Sequence, residues 1–265
     1  MHATRMSAAQ ETNSDPGDGF LEGLLEPTGR TMKPRSSGIT IAIDTGVGLH
    51  AIQDLASVAG PHCDYAKIAW GSALITDNLA QKIESYRRVG IDPLLGGTLF
   101  EYCYARGRVD RLLAFCREQP IHIEISDGVV EIPRRDKLRW IEAFAAIGHV
   151  FSEVGGKIAP TGGEWTQLVR EELSAGAAKI VLEGREIGPT GGEIRGDLIA
   201  ELVEEFELET LVFEALERYQ QVWLIRELGP NVNLANIRIP DVLMVETLRQ
   251  GLKEQTLVAA TADAP

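Results

Sequence analysis

Short apolar runs that end abruptly in charge recur along this chain. Residues 179–182 run into Glu183, Gly184, Arg185 and Glu186. Residues 39–43 run into Asp44, and Ile121-His122-Ile123-Glu124-Ile125 meets Ser126, Asp127 and Gly128. Residues 149–152 meet Glu153, residues 210–213 meet Glu214, and Val232-Asn233-Leu234-Ala235-Asn236 closes the series. Tyr65-Ala66-Lys67-Ile68 carries a lysine within an apolar segment. Successive runs start roughly 25–30 residues apart with room for one helix between them, which is the length of a β-α unit and predicts parallel strands.

The pattern predicts eight strands, near residues 39–43, 65–69, 93–95, 121–126, 150–153, 180–183, 211–214 and 232–236. A helix is predicted after each. Leu74, Leu79, Ile83 and Tyr86, for example, follow the second strand at roughly helical spacing. Eight units typically need about 250 residues, and the chain has 265. The predicted fold is therefore α/β, a single-domain (β/α)8 TIM barrel, with an open doubly wound sheet as the other topology of this class. No Gly-x-Gly-x-x-Gly follows the first strand to favour that alternative. Residues 1–33, dominated by Ser, Asp, Gly, Glu and Thr, are predicted to be a disordered tail. The barrel is placed at 34–257, with a C-terminal tail at 258–265.

Composition narrows the functional classes. Hydrophobic residues make up 44% of the chain, yet no run approaches the roughly 20 apolar residues that span a bilayer. The first residues lack the apolar core of a secretory signal, so a cytoplasmic protein with no membrane partner is expected. A net charge of -13 repels nucleic acid, and no basic stripe interleaved with aromatics offsets it. If the substrate is a small anion, local cations or a bound metal must reverse that field at the site. Cys63, Cys103 and Cys116 are odd in number and form no Cys-x-x-Cys pair, which predicts buried free thiols.

In a barrel, the charged run ends gather at the C-terminal rim of the strands, where barrel enzymes keep their sites. Glu124, Asp127, Glu153, Glu183, Glu186 and Glu214 would raise one another's pKa values unless cations intervene. Such oxygen-rich sites suit Mg²⁺. Lys67, Lys157 and Arg185 supply positive charge for anionic groups, although any single Glu is as easily read as an ion pair. From the residues alone, the chain reads as a metal-assisted barrel enzyme acting on a small anionic substrate.

Several motifs, taken together, resemble those of the phosphosulfolactate synthases. They are Gly96-Gly97-Thr98-Leu99-Phe100-Glu101, Glu124-Ile125-Ser126-Asp127-Gly128, Ser152-Glu153-Val154-Gly155-Gly156-Lys157, Glu183-Gly184-Arg185-Glu186 and Asn231-Val232-Asn233-Leu234-Ala235-Asn236-Ile237. The resemblance runs from about residue 33 to 256. It implies a Mg²⁺-dependent lyase that adds sulfite to phosphoenolpyruvate, a step toward coenzyme M. Lys157 matches the lysine that protonates C2, and Arg185 joins it as a catalytic candidate. Lys67, Ser126, Asn233 and Asn236 are the substrate-binding candidates, and Glu124, Asp127, Glu153 and Glu183 the metal candidates. Members of that family associate, so a homo-oligomer is a further expectation. The chain departs from the family at Gly156, where a second lysine is common, at Ala235, where glycine is common, and at Leu216, where proline is. The missing lysine keeps open a phosphoenolpyruvate enzyme with another nucleophile. Plant heat-stress-associated proteins also resemble this family, which keeps a non-catalytic protective role in view.

Overall fold

Period-two alternation in the strands decides which side chains face the barrel axis. The computed structural model describes residues 24–25, 28–155, 162–189 and 192–261. Its eight strands are β1 (Thr40–Asp44), β2 (Tyr65–Ile68), β3 (Asp92–Leu95), β4 (His122–Ile125), β5 (Val150–Val154), β6 (Lys179–Leu182), β7 (Leu211–Glu214) and β8 (Leu234–Arg238). They close in sequence order into a parallel barrel, with β8 returning to β1. The helices between them are α1 (Leu49–Ala59), α2 (Leu79–Arg88), α3 (Gly97–Ala105), α4 (Val109–Glu118), α5 (Arg134–Ala145) and α6 (Gly162–Ser174). The short α7 (Gly184–Ile187), α8 (Gly196–Glu205), α9 (Arg218–Leu228), α10 (Val242–Arg249) and α11 (Glu254–Thr261) complete the outer layer. The predicted TIM barrel is thus the observed fold.

Two cores divide the apolar residues. Ile41, Leu94, Phe151, Val181, Val212 and Ala235 fill the barrel axis, with Tyr65 packed beneath them. Ala42, Ile68, Leu95, Ile123, Ile180 and Leu182 instead face the helices. Burying a side chain the size of Phe151 contributes about 1.5–3 kcal/mol. The same alternation sets up the chemistry. Two residues beyond the axial Tyr65, Phe151 and Val212 stand Lys67, Glu153 and Glu214, so each charged side chain turns into the barrel one layer above the apolar plug. These three charges are therefore interior by geometry.

Buried ion pairs lock helices onto the strands. Asp44 at the end of β1 accepts from Lys82 (2.9 Å) and Tyr86 (2.8 Å) of α2, and from the backbone N–H groups of Gly46 and Val47. At the opposite end, Arg30 grips Glu246 of α10 (3.1 Å), and Arg35 pairs with Asp64 (3.1 Å). Most of the predicted N-terminal tail lies outside the described residues, but the chain from Thr28 onward is held to the barrel. Thr28 donates to Gln250, and the Thr31 N–H donates to Asn231. At the other terminus, α11 runs across the 257/258 boundary predicted from sequence. Cys63, Cys103 and Cys116 are buried and free, as predicted.

Below the plug, the ring of His122 stacks on His149 (4.8 Å) and meets Tyr65 edge-on (5.6 Å). The His149 N–H donates to His122 Nδ1, a bond that requires a neutral acceptor nitrogen. Burial, reinforced by His149, pushes the His122 pKa from 6.5 down to about 4. The folded state thus prefers the neutral ring. This contribution is intact above pH 6.5 and is lost as the pH falls toward 4. The shift corresponds to about 3 kcal/mol at most. Urea midpoints taken between pH 4 and 7 are expected to fall on the acid side, and His122→Asn, which keeps an acceptor oxygen, should flatten that slope. An unchanged slope in the variant would assign the acid loss to other groups.

Candidate active site

A cavity of about 650 Å³ opens at the C-terminal ends of the strands. Lys67, Glu124, Glu153 and Glu214 line it, joined by Glu183, Arg185 and Asn236. At its floor the Lys67 ammonium is bracketed by Glu124 (2.8 Å) and Glu214 (3.1 Å). Burial works against the lysine charge, but these two carboxylates overcome it and hold Lys67 above its ordinary pKa. Each carboxylate has a second anchor. Glu124 accepts from the N–H of Gly97 at the start of α3 (3.0 Å), and Glu214 from the N–H of Gly184 at the start of α7 (3.3 Å).

Glu153 completes the group. One carboxylate oxygen from each of Glu124, Glu153 and Glu214 falls within 4.8 Å of the other two. Burial, then the charges of Glu214 and Glu124, push the Glu153 carboxyl well above the usual carboxylate range. With a single lysine for three carboxylates, the cluster retains an excess of negative charge that a proton or a cation must offset. Three convergent hard oxygens, with no nitrogen or sulfur among them, fit a hard divalent cation.

The remaining candidates are distributed as follows. Glu183 caps α7, accepting from the Arg185 N–H (3.3 Å), and burial followed by the Glu214 charge raises its pKa. The four-residue α7 presents Arg185 at the cavity wall; no salt bridge involves that guanidinium among the described residues. Gln220 of α9 holds α7 in place, donating to the carbonyls of Gly184 (3.0 Å) and Gly188 (2.8 Å). Ser126 lines the cavity and donates to Glu101 (2.6 Å). Asn236 lies in β8 with a positive φ of 59°, where the β1–β8 register shifts, and its buried Oδ1 has no hydrogen-bond partner. Strained backbone of this kind gathers at functional sites. Lys157 lies outside the described residues. Gly155, two positions earlier, has a φ of 132°, and a Cβ there would fall 2.6 Å from the Glu183 side chain. Only glycine fits.

Two predicted site residues sit elsewhere. Asn233 is fully buried at the N-terminal end of the barrel, because β8 starts at Leu234, two residues later than the apolar pattern suggests. Its Oδ1 accepts from the Ile39 N–H (2.8 Å), and its Nδ2 donates to the carbonyls of Leu208, Glu209 and Leu211. That amide ties strands together and does not reach the cavity. Asp127 accepts from Lys137 of α5 (2.8 Å) and is not among the residues lining the cavity. The buried Lys137 also pairs with Glu172 (2.9 Å) and donates to the Glu153 carbonyl (2.7 Å). Sequence reasoning misses Lys137, Glu101 and Gln220; of the three, only Glu101 stands within a family-like motif.

Comparison with known proteins places this architecture in a family. Residues 28–255 match the family described as (2R)-phospho-3-sulfolactate synthase (ComA). The chain belongs to the phosphosulfolactate synthase family. The phosphosulfolactate synthase of Bacillus subtilis (strain 168) is 35% identical over 88% of this chain and 97% of its own length. That of Methanothermobacter thermautotrophicus is 34% identical over 86% and 94%. The HEAT-STRESS-ASSOCIATED 32 protein of Arabidopsis thaliana is 25% identical over 42% of this chain and 48% of its own. Among solved structures, the YdjI aldolase of Escherichia coli K12 shares the fold, with a TM-score of 0.51 and 9% identity over 86% of this chain and 92% of that one. No helix among the described residues is long and apolar enough to cross a membrane.

Within this family member, Gly97 has the least room for a side chain of the described glycines lining the cavity. A Cβ there would lie 2.4 Å from Ser126 Oγ and 2.7 Å from Ser126 Cβ. Gly97→Ala must therefore displace the Ser126 strand end beside Glu124. Misplacement of this order is expected to lower kcat/KM roughly a hundredfold, while overpacking costs about 1–3 kcal/mol of stability. Steady-state kinetics and a thermal melt read the two effects separately. Wild-type kinetics in the variant would show that this wall does not position the chemistry.

Proposed function

We propose that the protein adds sulfite to C3 of phosphoenolpyruvate with Mg²⁺, giving 2-phospho-3-sulfolactate. The observation that carries this reading is the buried cluster of Glu124, Glu153 and Glu214 around one lysine, in the cavity of a phosphosulfolactate synthase barrel. Glu124, Glu153 and Glu214 would hold the cation, with Glu183 beside them. When bound, it supplies Lewis-acid stabilisation of the negative charge that develops at the substrate carboxylate.

The chain's own residues account for the remaining needs. The sulfur lone pair forms the new C3–S bond, the C2=C3 electron pair moves onto C2 and the carboxylate, and a proton must then reach C2. No bond to phosphate breaks. Lys157, three residues beyond the end of β5 in sequence, is the proposed acid, and its ammonium also attracts the anion before giving up its proton. Arg185 offers two parallel N–H groups to phosphate, carboxylate or sulfite oxygens. The Asn236 amide, held in place by its strained backbone, adds a polar contact at the β8 wall. Two of the three N–H donors of Lys67 are spent on carboxylates. We assign it to charge balance beneath the substrate, where it keeps the floor from repelling an anion.

The test is the disappearance of enol absorbance in mixtures of phosphoenolpyruvate, sulfite and Mg²⁺, for the wild type and Lys157→Ala. Turnover that needs both sulfite and the metal and falls by at least about 100-fold in the variant supports the reaction and the acid together. An active Lys157→Ala keeps the reaction and rejects that acid. Consumption of phosphoenolpyruvate without sulfite points to another nucleophile.

A further inference from the structure

Glu101 of α3 is buried beside the cavity, and no salt bridge involves it among the described residues. Its carboxylate accepts three hydrogen bonds: Oε1 takes the Ser126 hydroxyl (2.6 Å), and Oε2 takes the backbone N–H groups of Val129 (2.7 Å) and Val130 (2.5 Å). A serine hydroxyl has one proton and two lone pairs. With that proton spent on Glu101, Ser126 has only lone pairs left to offer. An oxyanion cannot use them, because phosphate, carboxylate and sulfite oxygens need donors. A cation, or a water molecule held by one, can.

The neighbourhood agrees. Ser126 Oγ and Glu124 Oε1 flank the same bare face of Gly97, lying 2.4 Å and 3.2 Å from where a Cβ would stand. The glycine thus keeps open the space between the hydroxyl and a carboxylate of the acidic cluster. We propose that Glu101 is a positioning residue that turns the Ser126 proton away from the cavity, making Ser126 a neutral oxygen acceptor for the cation site at Glu124. This role rests on the reading of the carboxylate cluster as a cation site. It reverses the reading of Ser126 as a substrate-binding residue.

The reversal can be tested with almost no change of shape. In Glu101→Gln the amide oxygen still accepts from Val129 and Val130, but the amide NH₂ faces Ser126 and donates to it. The Ser126 proton must then point into the cavity. Titration calorimetry with Mg²⁺ alone, and separately with inorganic phosphate, would compare the wild type, Glu101→Gln, Ser126→Ala and the double variant. Each single variant is expected to bind Mg²⁺ roughly tenfold more weakly, the double variant no more weakly than either, and phosphate binding in Glu101→Gln should hold or tighten. A merely structural role would loosen the loop and weaken both ligands, which would overturn the proposal. Losses that multiply in the double variant, or Mg²⁺ binding unchanged in either single variant, would do the same. A wild type that binds no Mg²⁺ rejects the cation site and this role with it. Intact Mg²⁺ binding without sulfite turnover rejects only the proposed reaction and leaves Glu101 in its role.

Discussion

Replacing Lys67 with methionine is expected to destabilise the protein by about 3–5 kcal/mol and to abolish turnover. The side chain is buried and bonded to Glu124 and Glu214 at 2.8 and 3.1 Å. Methionine matches its bulk, so packing is largely kept and the loss isolates the charge. Without the ammonium, the three clustered carboxylates lose the counter-charge bonded to two of them. Lys67 itself stays charged across the working range, because its neighbours hold its pKa above the ordinary lysine value. The wild type therefore keeps this contribution at neutral pH. The variant should recover stability as the pH falls and its carboxylates take up protons, and also on addition of a divalent cation. Urea unfolding at pH 5 and pH 8, with and without Mg²⁺, reads both. A variant as stable as the wild type at pH 8 would mean that water already screens the cluster.

The second large effect concerns Glu153. In the metal-free protein its carboxyl is raised by burial and by Glu214 and Glu124. A folded-state pKa above the unfolded value means that the folded state holds the proton more tightly. The associated stability is complete below about pH 4.5 and is lost as the pH rises through the raised value. Metal-free wild type should thus weaken on the alkaline side, and a bound divalent cation should restore it. Glu153→Gln removes the ionisable group, so its metal-free stability should be flat over that window and higher than wild type at pH 8. The same change removes one of three cation ligands and should weaken Mg²⁺ binding at least tenfold, an effect of the size expected for a primary contact. Unaltered Mg²⁺ affinity in Glu153→Gln would remove this residue from the ligand set.

Much of this arrangement is legible in the order of residues along the chain. The spacing of apolar runs predicts eight β-α units, and the charged residues within and after those runs place Lys67, Glu124, Glu153 and Glu214 at the C-terminal rim. How those four side chains meet is not legible there. Lys67 lies 57 residues from Glu124 and 147 from Glu214, and only barrel closure brings them together. Asp127 reads like its neighbours in sequence, yet Lys137, ten residues on, draws it toward α5. The apolar run misplaces Asn233 because it starts before the strand does; the irregular register between β1 and β8 leaves Asn236 near the rim and Asn233 at the far end. The short α7 leaves no periodic trace, since four residues cover barely one helical turn. Gln220 and Glu101 act through backbone groups of distant loops, which no local pattern records.

The reaction we propose for this cavity joins sulfite to phosphoenolpyruvate. The most direct measurement is a phosphorus NMR time course of phosphoenolpyruvate with sulfite, Mg²⁺ and the purified protein, alongside mixtures lacking one component each. The enol-phosphate resonance is expected to give way to a single new phosphate-ester resonance, only in the complete mixture, with no inorganic phosphate released. An unchanged enol-phosphate signal from folded, Mg²⁺-binding protein would contradict this reaction, as would release of inorganic phosphate or a new ester formed without sulfite.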